Sequence, residues 1–432
     1  LGLVIPVAIS ENSSVAPGVN WISAKLTTRA YIAGGAQVAA GGHVLVVAAA
    51  SEHLANLTLG GAGSSSSGLQ FAVDASATGT YLSSMTTAEI QGSDNQDHAT
   101  QVTAGGNVLV SATDDTVDTG VSGGVAAVLS ETGLLGAGAG VVYTHIHKTT
   151  SADIDGGAVV DAGGNSQDQM PVINGDIDAE NKHFDTESIV GVAVQAQSSE
   201  KLTNFGIAAA GAFWVGVGGG VTYSNVNSDT TATIAQGAKV NQGSAQPDAS
   251  GHQSVNVSAS NMVTVLDVGG ALAVGLVDAS GGVDVGIIRN TTMASIESGA
   301  EVAAKKDVSV YSLTLRDVKS YAISAGVGGL GIGGSVSVWT LGDKLDSDYD
   351  TVVTSGNDAL AVQDNSNDAD PAYPDIGSYL DGQANRGDTT SAMSGYSDSS
   401  VQPEGNENQT AFLSIRDRVS ATLDSNYADG QS

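Results

Sequence analysis

The densest set of residues able to do chemistry lies near the C-terminus. Asp343, Asp346, Asp348 and Asp350 fall close together, and Asp364, Asn365, Asp368 and Asp370 follow. Oxygen ligands at this density suit a hard divalent cation, and Ca²⁺ is the metal they point to. The site read from them is Asp343, Asp346, Asp348, Asp350, Asp364 and Asp368. The turn glycine and terminal glutamate of an EF-hand loop are missing, and no calcium β-roll repeat is present, so a solvated acidic loop is the competing expectation. Beyond Ca²⁺, no cofactor is expected. Arg386-Gly387-Asp388 is an integrin-type tripeptide in the same acidic stretch, and such triplets are common by chance. His145-Ile146-His147 sets two imidazoles on one face of a strand, without an evident third ligand. The mixed run Asp176, Asp178, Glu180, His183, Asp185, Glu187 reads as a solvated insertion. Asn56, Asn256, Asn290 and Asn408 each begin a glycosylation-type triplet. There is no nucleophile elbow, no His-Glu-x-x-His pair and no phosphate loop. A non-enzymatic role is expected, with a polysaccharide-acting enzyme on a β-helix as the remaining enzymatic alternative.

The elements that must position these residues come from a repeat. Ala294-Ser295-Ile296 leads to Gly299-Ala300-Glu301-Val302 and then Val308-Ser309-Val310. Earlier copies place Ala30, Ile32, Val38, Val44 and Val46 in this pattern, then Ala88, Ile90, Val102, Val108 and Val110. Two more run through Ala152, Ile154, Val160 and Val192, and through Ala232, Ile234, Val240 and Val255. A threonine pair precedes each Ala-x-Ile, from Thr27-Thr28 to Thr291-Thr292. Alternating small apolar residues interrupted by glycine read as strand, turn, strand. Extra residues gather between Val160 and Val190 and between Val240 and Val255, as expected of insertions that bulge from one corner.

The second half of each copy is a Gly/Ala-rich strand pair, such as Gly206 to Tyr223 and Ser324 to Val338. In the latter, Ile323, Ala325 and Val327 share an inward phase, and Leu330, Ile332, Val336 and Val338 take it up beyond a corner at Gly328-Gly329. About three strand-turn layers per copy predict a rod of order ~70 Å.

Composition narrows the function classes. The chain of 432 residues has 57 Gly, 4% aromatics and no Cys, which fits a thin interior of Val, Ile, Ala and Gly and excludes disulfides and thiolate metal sites. A net charge of -31, from 46 acidic and 15 basic residues, opposes nucleic acid and anionic membranes. No apolar run reaches the roughly 18 residues of a membrane helix, so membrane insertion is not expected. Leu1, Leu3, Ile5, Val7 and Ile9 alternate without a basic flank or start Met; they read as a self-assembly strand rather than a signal peptide. On this reading the chain is a processed product or an excerpt of a longer one.

The Ala-x-Ile, Gly-Ala-x-Val and Val-x-Val-x-Ala copies, with their glycine-rich strand pairs, resemble the repeats of giant bacterial surface proteins over about residues 27 to 340. These are large β-solenoid adhesins, filamentous-haemagglutinin-like exoproteins and leukotoxin-like repeat proteins. The resemblance implies export, a right-handed parallel β-helix or related solenoid, and a role in adhesion, matrix or fibre formation. The expected fold is therefore all-β, a parallel β-helix (β-solenoid) of about five imperfect repeats with a long acidic insertion near the C-terminus. A lead-in strand (1–26) precedes the repeats (27–342); the acidic insertion (343–415) and the start of a further repeat (416–432) follow. The expected setting is extracellular or on the cell surface. Expected partners are neighbouring subunits or the rest of a longer chain, and host or neighbouring-cell surfaces. A β-sandwich array is the structural rival, and a fibre growing head to tail by strand pairing is the functional one.

Overall fold

The computed structural model describes residues 1–66, 69–93, 99–242 and 248–342. The Ca²⁺ candidates Asp343 to Asp368, the Arg386-Gly387-Asp388 triplet, Asn408 and the proposed further repeat all lie outside the described residues. Leu1–Gly342 forms one compact unit, built from strands with no α-helix among the described residues.

Two lead-in strands, β1 (Gly2–Val4) and β2 (Val7–Ser10), precede the copies. The first copy is β3 (Ser13–Ile32), β4 (Gln37–Ala40) and β5 (Val44–Ser64); the second is β6 (Gln70–Ile90), β7 (Thr100–Ala104) and β8 (Val108–Val128). The third is β9 (Gly133–Ile154), β10 (Ala158–Ala162), an inserted β11 (Met170–Asp178) and β12 (His183–Gly211). The remainder is β13 (Val215–Ile234), β14 (Lys239–Val240), β15 (Gln253–Ile296), β16 (Glu301–Val302) and β17 (Val308–Leu341).

Apart from the β11 hairpin, every pairing is parallel and joins equivalent residues of successive copies. One face runs β5-β8-β12-β15-β17, the other β3-β6-β9-β13-β15-β17, because β15 and β17 each pass from one face to the other. A third, five-stranded sheet runs β16-β14-β10-β7-β4. Ile32, Ile90, Ile154, Ile234 and Ile296 form one column, and Val44, Val108, Val192, Val255 and Val308 another. The repeat glycines Gly35, Gly157, Gly237 and Gly299 all turn with φ of 81 or 82°, a conformation a side chain resists. That is why the pattern places Gly before Ala-x-Val.

Each copy thus supplies one strand to each sheet. The expectation of about three layers per copy is corrected: β3, β5, β6, β8 and β9 run 20 to 22 residues, against about 5–6 for a typical strand, so one layer consumes a whole copy. Around Val160 to Val190 the insertion folds as an antiparallel hairpin, Met170 to Asp178 against His183 to Ile189. It packs Met170 and Val172 onto the outer side of β12 at Ala193, and the Ile173 carbonyl accepts a hydrogen bond from the Asn256 amide.

The interior changes along the strands. At the wide end, three sheets enclose Ile90, Ile154, Ile234, Val110, Val194, Val257 and Val160, all fully buried. Toward the opposite corner only two sheets remain, and they nearly touch. A Cβ on Gly140 would stand 2.2 Å from the Ile207 carbonyl oxygen, and one on Gly220 2.0 Å from that of Gly270. Large side chains cannot fit between them, so they turn outward. Ile323, Val327, Leu330, Ile332, Val336 and Val338, expected inside, are each more than half exposed. The corner at Gly328-Gly329 stands as expected; the direction of the side chains around it is reversed. Equivalent positions in the covered copies behave alike, since Ile207 is 45% and Val217 40% exposed.

Candidate functional site: a buried carboxylate lane

Between the apolar wide end and the glycine-lined narrow end, polar groups line the interior on either side of a buried apolar layer of Leu82, Ile146, Leu202, Val226 and Ile288. Alternation alone puts them there. Asp114, Thr116 and Asp118 continue the inward series of Val108, Val110 and Ala112 on β8. Lys148 continues the inward series of Ile154, Ala152 and Thr150 on β9, and Glu200 that of Val192, Val194 and Ala196 on β12.

Lys148 is fully buried, with its Nζ 2.8 Å from Asp114 Oδ1 and 3.2 Å from Glu200 Oε1. The ammonium also donates to the carbonyl oxygens of Asp114 at 2.7 Å and Ser199 at 3.0 Å. Ser84 and Thr86 each donate to Asp114 Oδ2 at 2.8 Å, while Ser198, Ser228 and Asn261 donate to Glu200. Burial opposes ionisation of Asp114, but Lys148, Ser84 and Thr86 outweigh it and hold its carboxyl below the ordinary range. One lysine cannot neutralise three acids. Glu52, one copy earlier, is pushed up to about 7 by burial and then by the Asp114 charge.

A second cluster uses hydroxyls, the Asn204 amide and an indole in place of an ammonium. Thr80 and Thr144 donate to the two oxygens of Asp118, and burial raises this carboxyl to about 6. Ser224 donates to Asp267, which burial and then, against the help of Ser224, the nearby Asp284 charge raise to about 7. Asp284 accepts from Thr222 at 2.7 Å and from the Trp339 indole at 2.7 Å. Nearer the narrow corner, Asp74 accepts from the Val125 amide and is raised by burial to about 6. Both oxygens of Asp278 are buried without a hydrogen-bond partner.

Chemically, the lane is a set of acids held between two sheets by hydroxyl donors and one ammonium. No grouping among the described residues has the make-up of a metal site. Residue type alone does not mark the lane, because Asp, Glu and Lys are seldom buried. Their parity with the Val and Ile columns was the available signal.

The other candidates fall elsewhere. His145 stacks on Tyr81 with ring centroids 5.0 Å apart, on the outer side of β9, and burial lowers its pKa. In the inserted hairpin His183 pairs with Asp185 at 2.9 Å, and Lys182 pairs with Asp317. Asn56 is fully buried and donates to the Gly79 carbonyl, and Asn256 is covered by the hairpin, so neither presents its triplet at the surface. Leu3 and Ile9 lie on β1 and β2, which pair with β5 at one end of the large sheet; these two residues and Leu1, Ile5 and Val7 are exposed.

Comparison with protein-family models, with curated proteins and with solved structures returned no match.

Proposed function

We propose that residues 1–342 are a parallel β-solenoid with one coil per repeat, serving as a non-enzymatic structural or adhesive segment of a bacterial extracellular protein. The observation that carries this reading is the unbroken registration of copies, with Ile90, Ile154 and Ile234 stacked in one column and fully buried. Such stacking makes a scaffold whose length grows copy by copy. The acids of the interior support it as well, being engaged by Lys148, Ser84 and Thr144 between the sheets. Six strands on one face give a stack of ~30 Å at the usual spacing between paired strands.

The adhesive part is tested with beads coated with the full chain and applied to bacterial and animal cell layers. Retention well above albumin-coated beads is expected; equal retention on every surface overturns it. Electron micrographs showing strings of separate globules would overturn the solenoid part. The fibre alternative is favoured by one observation: β1 and β2 pair on one side only, with β5, which leaves a strand edge to which a second copy could add. Growth of filaments with concentration, lost on Leu3→Pro, is the expected sign.

A further inference from the structure

The outer surface of the narrow half has a composition unlike the rest of this acidic chain. On one face the outward positions are Leu57 to Gly63 of β5 and their partners in β8, β12, β15 and β17, ending with Tyr321 to Val327. On the other they are Val15 to Trp21 of β3 and their partners, ending with Ile332 to Val338. These alternate positions hold only Val, Leu, Ile, Ala, Gly, Pro, Phe, Tyr and Trp, in a chain of net charge -31. No Ser, Thr, Asn or Gln and no charged residue is among them.

Aromatic residues mark both borders of this band. At the upper border Trp21 reaches over Gly79 and stacks on Tyr143 at 5.7 Å, Tyr143 stacks on Tyr223 at 5.2 Å, and Phe205 and Tyr321 stand on the other face. At the lower border, the corner of the third copy, Phe213 and Trp214 meet edge to face, 5.5 Å between centroids. From Tyr223 back to Val215 the strand spans ~26 Å at the usual rise per residue. A lipid hydrocarbon core is ~30 Å thick, and membrane β-structures show an apolar outer band of ~25 Å with aromatic girdles and a polar interior. The interior here is Gly, Ser, Thr, Asn and buried Asp, with a small alanine cluster at Ala16, Ala62, Ala72 and Ala126 toward the corner.

We propose that the narrow half is a lipid-binding surface that seats in the hydrocarbon of a zwitterionic bilayer. A second copy would cover one face; the apolar band occupies both faces and the corner between them, which a surrounding lipid phase satisfies. The chain's negative charge selects against anionic lipid. A depression of about 190 Å³ between Leu59 and Ile207, lined by Gly123, gives room for a short stretch of acyl chain. Free edge N–H and C=O groups are costly in hydrocarbon, so the edges along β1, β2 and β3 and along β17, each paired on one side among the described residues, must be paired by neighbouring copies in the seated form. This departs from the expectation of no membrane insertion. That expectation counted continuous apolar runs, whereas a strand presents lipid with every second residue. The absence of a membrane-length apolar helix among the described residues does not bear on it.

The test is flotation of the full chain with phosphatidylcholine vesicles in 0.15 M salt, roughly one Debye length of 8 Å. The folded chain is expected to float. The double variant Ile207→Asp with Val217→Asp is expected to bind at least about tenfold more weakly, and His147→Asp with Asn227→Asp, on the wide half, less than about twofold. Far-ultraviolet circular dichroism checks that each variant keeps its strands. Brominated lipid is expected to quench Trp21 and Trp214 in the vesicle-bound chain. Failure of the folded native chain to float overturns the proposal, as does equal loss in both double variants. Dimers in vesicle-free sedimentation that dissociate in the narrow-half variant, without flotation, would assign the band to a second copy and overturn it too.

Discussion

Within the single strand β13, Ile234 near one end is fully buried while Val217 near the other is 40% exposed. The two halves of the long strands share one backbone register and reverse the use of their faces. In the wide half, Val, Ile and Ala fill a space walled by three sheets, and the outward positions mix Ser, Thr, His and Asp with apolar residues such as Leu45, Val47 and Tyr31. In the narrow half, glycine lets two sheets approach to near backbone contact and the large apolar residues go outside. Apolar burial is therefore the main stabiliser of the wide half only. The narrow half rests on backbone ladders, close glycine contacts and the polar lane.

The comparison breaks most visibly if glycine is not the reason for the reversal. Gly220→Val would set a side chain 2.0 and 2.3 Å from the carbonyl oxygens of Gly270 and Gly206. A loss of about 4 kcal/mol or more is expected, in the range reserved for named structural failures. Denaturant unfolding of the variant checks it, and a mild effect would mean that the sheets can part. Lys148→Met removes the one cation of the lane among the described residues and leaves Asp114 and Glu200 facing each other in the interior. About 3–5 kcal/mol is expected to be lost at neutral pH, with partial recovery on adding Asp114→Asn. Ile154→Ala against Ile207→Ala measures the difference between the halves directly. The first empties a fully buried position and should cost about 3 kcal/mol, the second about 0.5 kcal/mol or less.

The pH dependence tests the polar lane between the two halves. Glu52 and Asp267, raised to about 7, and Asp74 and Asp118, raised to about 6, keep their protons in the folded chain at pH values where the unfolded chain has lost them. Their contribution is complete below pH ~4 and is lost as pH rises through ~6 to 7, so stability falls across that window. Asp114, held below the ordinary range, acts oppositely and loses its contribution at more acidic pH. Urea midpoints are expected to be higher at pH 4.5 than at pH 8. The double variant Glu52→Gln with Asp267→Asn should flatten the difference. A midpoint that rises with pH would show that the lane is wet and its acids ordinary.

The period, the copies and the turn glycines belong to the sequence alone. Alternation has only two phases, and Ala-x-Ile, Gly-Ala-x-Val and Val-x-Val-x-Ala recur with the same parity, apart from a second copy without Gly-Ala and a fifth that ends in Ser312. Ile32 to Ile296 could therefore be aligned by inspection, and Gly35, Gly157, Gly237 and Gly299 follow from the turn they must make. The sheet to which each strand belongs, and the one-layer thickness of each copy, were decided by pairing partners about 60 to 80 residues away. The tertiary structure also decided which face is inside. Parity sorts Ile207, Ile323 and Val336 from Gly206, Ser324 and Ser335, but it has no sign. The sign comes from the distance between the sheets: where it admits a side chain the apolar face turns in, and where it admits only hydrogen the same pattern turns out.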